Sequence, residues 1–330
     1  MRTKPARVRG RRWGWAFATA VAALCFALGA PAALAQEDEP TEAEKEEIAT
    51  LVRRLNGRAP NLRASAAGSL GGYGPKARSA VNALLTRLKG DPDVGVRCAA
   101  AEALGRIDDG SANVVSALAT ALGKDDALRR SAAYALGVIG PKASKAVPAL
   151  RDALRTEDAP ARRNVIRALG RIGSDVEKTR LEMAKLVRPG LADGDRDVRR
   201  AAALALVWLD AGDAAVVAPL GEAVGDSREA VDTRIESAEA LGRLGPAAKD
   251  AVPPLVAALK EVFKPVPGIL YQDEIQKRHQ ELRRTVARAL GAIGPAAKDA
   301  LPALEAVRQD QDEPLREAAK QAIERIKAGS

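Results

Sequence analysis

The sequence predicts an all-α solenoid, a fold in which short pairs of helices stack on one another along the chain. Two observations lead to this prediction. A segment of the form Arg-x-x-Ala-Ala-x-Ala-Leu-Gly-x-Ile-Gly-Pro recurs every 32 to 37 residues, with one longer interval. Beyond residue 35 the chain has only five aromatic residues, so its core must consist of Ala, Leu, Val and Ile, which suits closely packed helices.

The repeat has a fixed internal spacing. Its arginine recurs at Arg63, Arg97, Arg129, Arg162, Arg199, Arg234, Arg283 and Arg316. Seven residues after each arginine stands an aliphatic residue: Leu70, Leu104, Leu136, Leu169, Leu206, Leu241, Leu290 and Ile323. An offset of seven residues places both side chains on the same face of one helix, two turns apart.

Each repeat contains two predicted helices. In residues 128–139 the apolar residues fall at helical spacing on one stripe, and Gly140 with Pro141 predicts a left-handed stop. The same Gly-Pro ending recurs at Gly74, Gly245 and Gly294. A second helix follows over residues 146–154, with Pro148 tolerated in its first turn. Neither helix can bury its apolar stripe alone, so the pairs must stack.

Glycine recurs inside the first helix, where it is unfavourable. It stands at Gly71, Gly105, Gly137, Gly170, Gly242 and Gly291. Each such glycine costs about 1 kcal/mol relative to alanine. Its repeated presence predicts that a neighbouring helix crosses too closely for a β-carbon.

An aspartate stands four residues before the arginine in five repeats: Asp93, Asp125, Asp158, Asp195 and Asp312. Its position predicts a helix cap and an ion pair with the arginine of its own or the adjacent repeat. We interpret the recurrence as a structural ladder, with a catalytic ladder as the alternative.

These motifs together resemble the HEAT-like repeats first named for phycobilin lyase subunits, over about residues 60–327. The resemblance implies a right-handed superhelix of about seven helix pairs, with the second helices lining the concave side. It also implies a scaffold, because similar families act mostly as scaffolds. The motif is specific for the repeat class and not for an activity. Helices at both ends are predicted as caps, one opened by the capping box Thr41 to Glu44 and one starting at Glu313.

The N-terminus predicts export. Residues 1–35 combine a basic start, an apolar stretch and the small-x-small sequence Ala33-Leu34-Ala35, as in a cleaved secretory signal. Residues 36–57 then form an acidic segment with the capping helix, and residues 58–327 form the solenoid. We expect a periplasmic or extracellular protein that does not insert into the membrane after cleavage; an uncleaved membrane anchor is the alternative.

Charge and composition restrict the partners. Residues 1–35 carry six of the 52 basic residues and none of the 43 acidic ones, so cleavage lowers the net charge from +9 to +3. A charge this low argues against nucleic acid as the partner. Cys98 is the only cysteine after residue 35, so no intramolecular disulfide is expected. We expect a monomer.

The residues needed for common catalytic and metal sites are missing from the sequence. The mature chain has one histidine, His279, and one cysteine, which allow neither a Cys/His metal cage nor a catalytic triad. Residues 193–197 resemble a calcium loop, but Val198 stands where its glycine is required. We therefore expect no enzyme activity, metal or cofactor.

A basic row is the first candidate binding site. Arg130, Arg163 and Arg200 each follow a repeat arginine, so stacking should align them, and Arg167 and Arg171 lie on the same helix as Arg163. We expect the row to meet an acidic partner; a solvated charged face is the alternative.

Two further candidates interrupt the repeat. Trp208 takes a position occupied elsewhere by mixed residue types, which predicts partial exposure and either a packed or a partner-binding side chain. An insertion at about residues 260–282 contains Phe263 and Tyr271 and is predicted to extend the following helix toward its N-terminus. A tolerated loop is the alternative for the insertion.

The sequence therefore predicts a non-catalytic, protein-binding scaffold of the cell envelope or extracellular space. The alternative implied by the resemblance is an accessory subunit for cofactor attachment or enzyme assembly.

Overall fold

The computed structural model describes residues 39–107, 110–173, 177–210, 212–262 and 272–328. These residues form helices and turns, and none of them lies in a strand. The chain divides into two compact units, Met1–Glu46 and Glu47–Ser330. The predicted signal at residues 1–35, and Phe263 and Tyr271 of the insertion, lie outside the described residues.

Seven helix pairs, here called repeats 1 to 7, succeed one another in the described part of the chain. Their first helices are α2 (Pro60–Gly72), α4 (Val94–Ile107), α6 (Asp126–Ile139), α8 (Ala159–Ile172), α10 (Arg196–Trp208), α12 (Val231–Leu244) and α14 (Gln272–Ile293). Their second helices are α3 (Val81–Gly90), α5 (Ala112–Ala121), α7 (Val147–Ala153), α9 (Glu177–Val187), α11 (Val217–Gly225), α13 (Val252–Lys260) and α15 (Leu301–Val307). The predicted all-α solenoid is confirmed.

A single helix stands at each end, as predicted. In α1 (Glu42–Leu55), the Thr41 amide donates to Glu44 Oε2 at 2.7 Å and the Glu44 amide donates to Thr41 Oγ1 at 3.3 Å, which is the predicted capping box. The C-terminal helix is α16 (Glu313–Ala328), whose Ile323 and Ile326 are buried.

The Gly-Pro ending of the first helix has the predicted backbone conformation. The four glycines Gly74, Gly140, Gly245 and Gly294 have φ between +54° and +71°. A residue with a β-carbon is strained there. The chain then continues as a 3-10 segment, Gly140–Ala146 in repeat 3, which leads directly into the second helix.

The predicted close helix crossing is confirmed at all six glycines. An ideal β-carbon at Gly105 would lie 2.6 Å from the Cα of Ala135 in the next repeat, and one at Gly291 would lie 2.8 Å from the Cα of Ala322. At Gly71, Gly137, Gly170 and Gly242 the corresponding contact is to Ala103, Ala168, Ala205 and Ala289. A neighbouring backbone therefore occupies the space that any larger residue would need.

In repeats 1 and 4 the repeat arginine joins its repeat to the next one. Arg63 Nη1 donates to the carbonyl oxygens of Gly57 and Arg58 before its own helix. Its Nε and Nη2 donate to both carboxylate oxygens of Asp91 in the next loop, at 2.8 and 2.7 Å. Arg162 binds Asp193 in the same bidentate way, at 2.9 Å for both bonds. One side chain thus closes a loop and sets the spacing to the next repeat.

The predicted aspartate caps are present, but most of the arginine pairs use another residue. Asp93, Asp125, Asp158 and Asp195 accept backbone N–H bonds from the helices that follow them. The bidentate acceptors are instead Asp91 for Arg63, Asp193 for Arg162 and Glu261 for Arg234. The two aspartates stand two residues earlier than predicted, in Asp-x-Asp sequences. Among the described pairs, Arg97 with Asp125 follows the prediction, at 3.3 Å.

First and second helices are packed differently within Glu47–Ser330. The first helices contact each other extensively at each described step except that from α10 to α12, whereas successive second helices have few contacts. The closely packed helix is thus the one that carries the glycine. That the second helices line the concave side stays a prediction.

The helix after the insertion is extended, as predicted. Helix α14 runs from Gln272 to Ile293, and His279 lies in its added N-terminal part. His279 Nε2 lies 3.6 Å from Glu261 Oε2, and burial lowers the pKa of His279. None of the helices within the described ranges is both long and apolar enough to cross a membrane.

Candidate binding surface

The side chains five and nine residues after the repeat arginine lie on one face of each first helix. They are one helical turn apart and therefore project side by side. In repeats 2 to 5 they are Glu102 and Arg106, Tyr134 and Val138, Arg167 and Arg171, and Leu204 and Trp208. We call this row of eight residues the first-helix surface.

Repeat 3 exposes apolar groups on the first-helix surface. Tyr134 and Val138 are 40% and 37% exposed. The guanidinium carbon of Arg106, from repeat 2, lies 5.9 Å from the centre of the Tyr134 ring. An exposed aromatic ring beside a cation can bury apolar area and accept charged groups at once, as partner-binding surfaces commonly do.

Repeats 4 and 5 show a second pairing of the same kind. The guanidinium carbon of Arg171 lies 5.7 Å from the Trp208 ring centre. Trp208 is half-buried and packs against the core, so its predicted partial exposure is confirmed. Trp208 thus contacts both the core and Arg171. Binding of a partner by Trp208 stays a prediction.

A small hollow lies between α6 and α8. It has a volume of about 110 Å³ and is lined by Tyr134, Asn164, Arg167 and Arg171 together with small residues. The Asn164 side-chain amide donates to the carbonyl oxygen of Arg130 at 3.1 Å, which fixes the wall of the hollow. The hollow therefore presents an aromatic ring, an amide and two guanidinium groups.

The predicted basic row has partners within the chain. Arg130 Nε lies 2.9 Å from Asp158 Oδ2, and Arg163 Nη1 lies 3.8 Å from Asp197 Oδ2. Arg200 Nη1 lies 3.0 Å from Glu229 Oε2. These three arginines join neighbouring repeats, so their charges are balanced locally. Contact of this row with an acidic partner stays a prediction.

Arg167 makes a contact of a different kind. Its Nη2 donates to Glu236 Oε2 in α12 at 3.0 Å, across 69 residues, whereas the pairs above join adjacent repeats. Burial lowers the pKa of Arg167, and the positive charges of Arg171, Arg163 and Arg200 lower it further, while Glu236 opposes these effects. Arg167 is thus surrounded by other arginines and bound to the Glu236 carboxylate.

Helix α10 lies between α8 and α12 in the chain. Leu204 is 2% exposed, although the equivalent Tyr134 is exposed in repeat 3. Val207 replaces the crossing glycine and is 4% exposed. Residues 201–207 are all buried, so α10 is enclosed on every side after its first turn. Repeat 5 therefore differs from its neighbours in both sequence and packing.

Three features of the site escaped prediction from the sequence. Counting five positions from each repeat arginine would have aligned Tyr134 with Arg167, in the way that counting nine positions aligned Trp208 with Arg171. The Asp-x-Asp sequences at residues 91–93 and 193–195 marked the arginine acceptors. No local signal connects Glu236 with Arg167.

The residues considered for catalysis or metal binding lie in different repeats or already accept hydrogen bonds within the protein. Cys98 is in α4 and His279 is in α14. The calcium-like sequence at residues 193–197 directs Asp193 to Arg162 and Asp195 to the start of α10. Within the described ranges, no group of three His, Cys, Asp or Glu residues could hold a metal ion.

Comparison with known families agrees with this architecture. A family model described as HEAT repeats matches residues 48–137, 116–186 and 184–266, which is more than half of the chain. A model described as a PBS lyase HEAT-like repeat matches residues 282–310. The chain belongs to the HEAT-repeat family. HEAT repeats indicate a helical scaffold or protein-binding role, since they usually mediate protein interactions.

One solved structure with the same fold is that of a bacterial protein. The X-ray structure of the Escherichia coli protein YibA matches with 19% identity and a TM-score of 0.54, covering 97% of this chain and 99% of that one. An engineered protein matches with 19% identity and a TM-score of 0.42, covering 89% of this chain and 93% of that one. No curated protein sequence matches the chain significantly.

Proposed function

We propose that this protein is an exported, non-catalytic scaffold that holds a partner protein on its first-helix surface. It acts as a monomer in the periplasm or outside the cell, and its partner carries acidic groups. The observation that supports this proposal best is the exposed row in repeats 2 to 4, where Tyr134 and Val138 alternate with the guanidinium groups of Arg106 and Arg171.

The chemistry of the surface favours protein over nucleic acid. A protein partner can bury the Tyr134 ring and the Val138 methyl groups while its carboxylates meet the arginines. Nucleic acid would require a continuous, uncompensated basic surface, and the Arg130, Arg163 and Arg200 side chains are paired with internal carboxylates. The mature net charge of +3 points the same way.

The non-catalytic and exported parts of the proposal are supported by the sequence. A single histidine and a single mature cysteine, in different repeats, leave no pair for nucleophilic catalysis. The basic start, apolar stretch and Ala33-Leu34-Ala35 of residues 1–35 fit a cleaved signal.

Capture experiments test the binding surface. The mature protein, immobilised and exposed to an envelope extract, should retain a partner whose capture is lost in the double variant Tyr134→Ala/Arg171→Ala. Leu181→Ala is the control, because Leu181 is an exposed apolar residue outside the first-helix surface, on the second helix α9. A partner lost equally from the control and the double variant would contradict the proposed surface.

Export is tested separately. Cell fractionation and N-terminal sequencing of the native protein should find it outside the cytoplasm and beginning at Gln36. A cytoplasmic protein that retains residues 1–35 would contradict the proposed location.

A further inference from the structure

We infer that Glu236 occupies the place of a partner carboxylate on Arg167, so that an acidic peptide segment binds by displacing Glu236 from α8. The inference rests on the proposed function and specifies its binding chemistry. The protein's own carboxylate would then compete with the ligand, and α12 would be released from α8 when the ligand binds.

The geometry of the Arg167 contact suits exchange. The side chains of Arg167 and Glu236 are 36% and 38% exposed, so a ligand can reach both. Glu236 Oε2 accepts a bond from Nη2 alone, although a guanidinium group offers five donors and can bind a carboxylate bidentately. An incoming carboxylate could therefore bind Arg167 at least as well as Glu236 does.

The surroundings of Arg167 favour an acidic ligand. Arg163 and Arg200 lie close to Arg167 and are paired with Asp197 and Glu229. Arg167 and Arg171 both line the hollow between α6 and α8, and the residues that line it include no carboxylate. A ligand carboxylate above the hollow would meet two guanidinium groups.

The hollow also limits the shape of the ligand. Its volume of about 110 Å³ accommodates a side chain and not a folded domain. The Tyr134 ring and the Asn164 amide form its other walls. An extended segment with Asp or Glu side chains fits this combination of a narrow recess, a ring and cations.

Displacement of Glu236 does not require the fold to open. Arg200 still joins α10 to Glu229 before α12, and Arg234 in α12 still binds Glu261. The exchange replaces one half-exposed ion pair by another and moves no proton. Because both carboxylates compete for one guanidinium group, removing the internal one must raise the affinity for the external one.

A labelled hexaglutamate peptide tests the exchange by fluorescence anisotropy at low ionic strength. We expect Glu236→Gln to bind it about two- to fivefold more tightly than wild type, the effect of removing one half-exposed competing ion pair. Arg167→Gln should weaken binding about tenfold, because a charged hydrogen bond is lost. Circular dichroism melting confirms that both variants are folded.

Glu239→Gln is the matched control. Glu239 is exposed on α12, one turn from Glu236, and its removal changes the net charge equally. It should alter affinity less than Glu236→Gln does. Equal tightening by both variants would show a general charge effect and overturn the inference, as would unchanged or weaker binding in Glu236→Gln.

The peptide-binding and capture experiments together distinguish this inference from the proposed function. If hexaglutamate binds neither wild type nor Glu236→Gln, while an envelope partner is still captured through Tyr134 and Arg171, the inference fails and the scaffold function stands. If the Tyr134→Ala/Arg171→Ala variant captures the envelope partner as well as wild type does, the proposed function fails. A hexaglutamine peptide should not bind, and binding of it equal to that of hexaglutamate would contradict the role of the carboxylate.

Discussion

The step from repeat 2 to repeat 3 and the step from repeat 5 to repeat 6 join equivalent helices in different ways. At the first, Gly105 lets α4 touch the backbone of Ala135 in α6. At the second, Val207 stands in place of the glycine, and α10 makes much less contact with α12. The comparison shows that the glycine and the close crossing occur together, since the crossing is lost where the glycine is absent.

The second helices behave in the opposite way at repeat 5. An ideal β-carbon at Gly221 in α11 would lie 3.3 Å from Pro254 Cγ in α13, and one at Gly225 would lie 3.2 Å from Pro254 Cβ. The close approach has therefore moved from the first to the second helices. We call the step from repeat 5 to repeat 6 the exceptional step and the other steps regular. Individual residues should contribute differently to stability at the two kinds of step.

The largest effect should come from the buried arginine of repeat 6. Arg234→Ala leaves Glu261 without its two bonds and the Val224 carbonyl oxygen without its donor, and should cost about 3 kcal/mol of unfolding free energy. Arg199→Ala, at the exceptional step, should cost only about 1 kcal/mol, because Arg199 bonds to carbonyl oxygens of the preceding loop. Urea unfolding measures both, and equal losses would contradict the distinction.

Restoring the glycine at repeat 5 should harm the protein. Val207→Gly removes a buried side chain and adds a flexible residue within a helix, and should lower the unfolding free energy by about 3 kcal/mol. A neutral or stabilising result in thermal melting would mean that α10 and α12 can adopt the regular crossing.

Filling a regular crossing should have a smaller cost. Gly105→Ala places a β-carbon against the backbone of Ala135, and the strain should exceed the gain in helix propensity by about 1 to 2 kcal/mol. Gly68→Ala is the control, because no atom lies within 4 Å of its ideal β-carbon, and it should stabilise α2 by up to about 1 kcal/mol. The two glycine variants should therefore shift the melting temperature in opposite directions.

The smallest effect concerns an exposed pair at a regular step. The backbone N–H of Leu128 and the Arg97 side chain lower the pKa of Asp125, so its contribution is present above the ordinary pKa and is lost as the pH falls. Asp125→Asn keeps a helix cap but loses the ion pair, and should cost about 0.5 kcal/mol at neutral pH. The difference from wild type should shrink below about pH 4 in urea titrations; a difference that grows in acid would contradict the assignment.

Local sequence determined the fold to a large extent. The interval of the repeat, the helix stripes and the Gly-Pro endings each act within one repeat, and the structure has the corresponding helices and turns. Gly105 also predicted a contact between repeats, because an unfavourable residue that keeps returning needs a steric cause. Export, the acidic partner and the monomeric state stay predictions.

The binding surface could be predicted only in part. Arg167, Arg171 and Trp208 were found by position, since equivalent positions align when neighbouring repeats stack. Arg130, Arg163 and Arg200 were also picked out, but the sequence did not show the carboxylates that balance them. Those acids come from loops whose course depends on how each repeat meets the next.

By itself, the sequence determined a stack of helix pairs, with the glycines and arginines that space them, because these features repeat at short range. Only the tertiary structure decided that α10 is enclosed and that Arg167 meets Glu236, 69 residues away. Small rotations add up from repeat to repeat, and a single altered crossing at Val207 changes which helices become neighbours. A pattern that is local to one repeat cannot specify that sum.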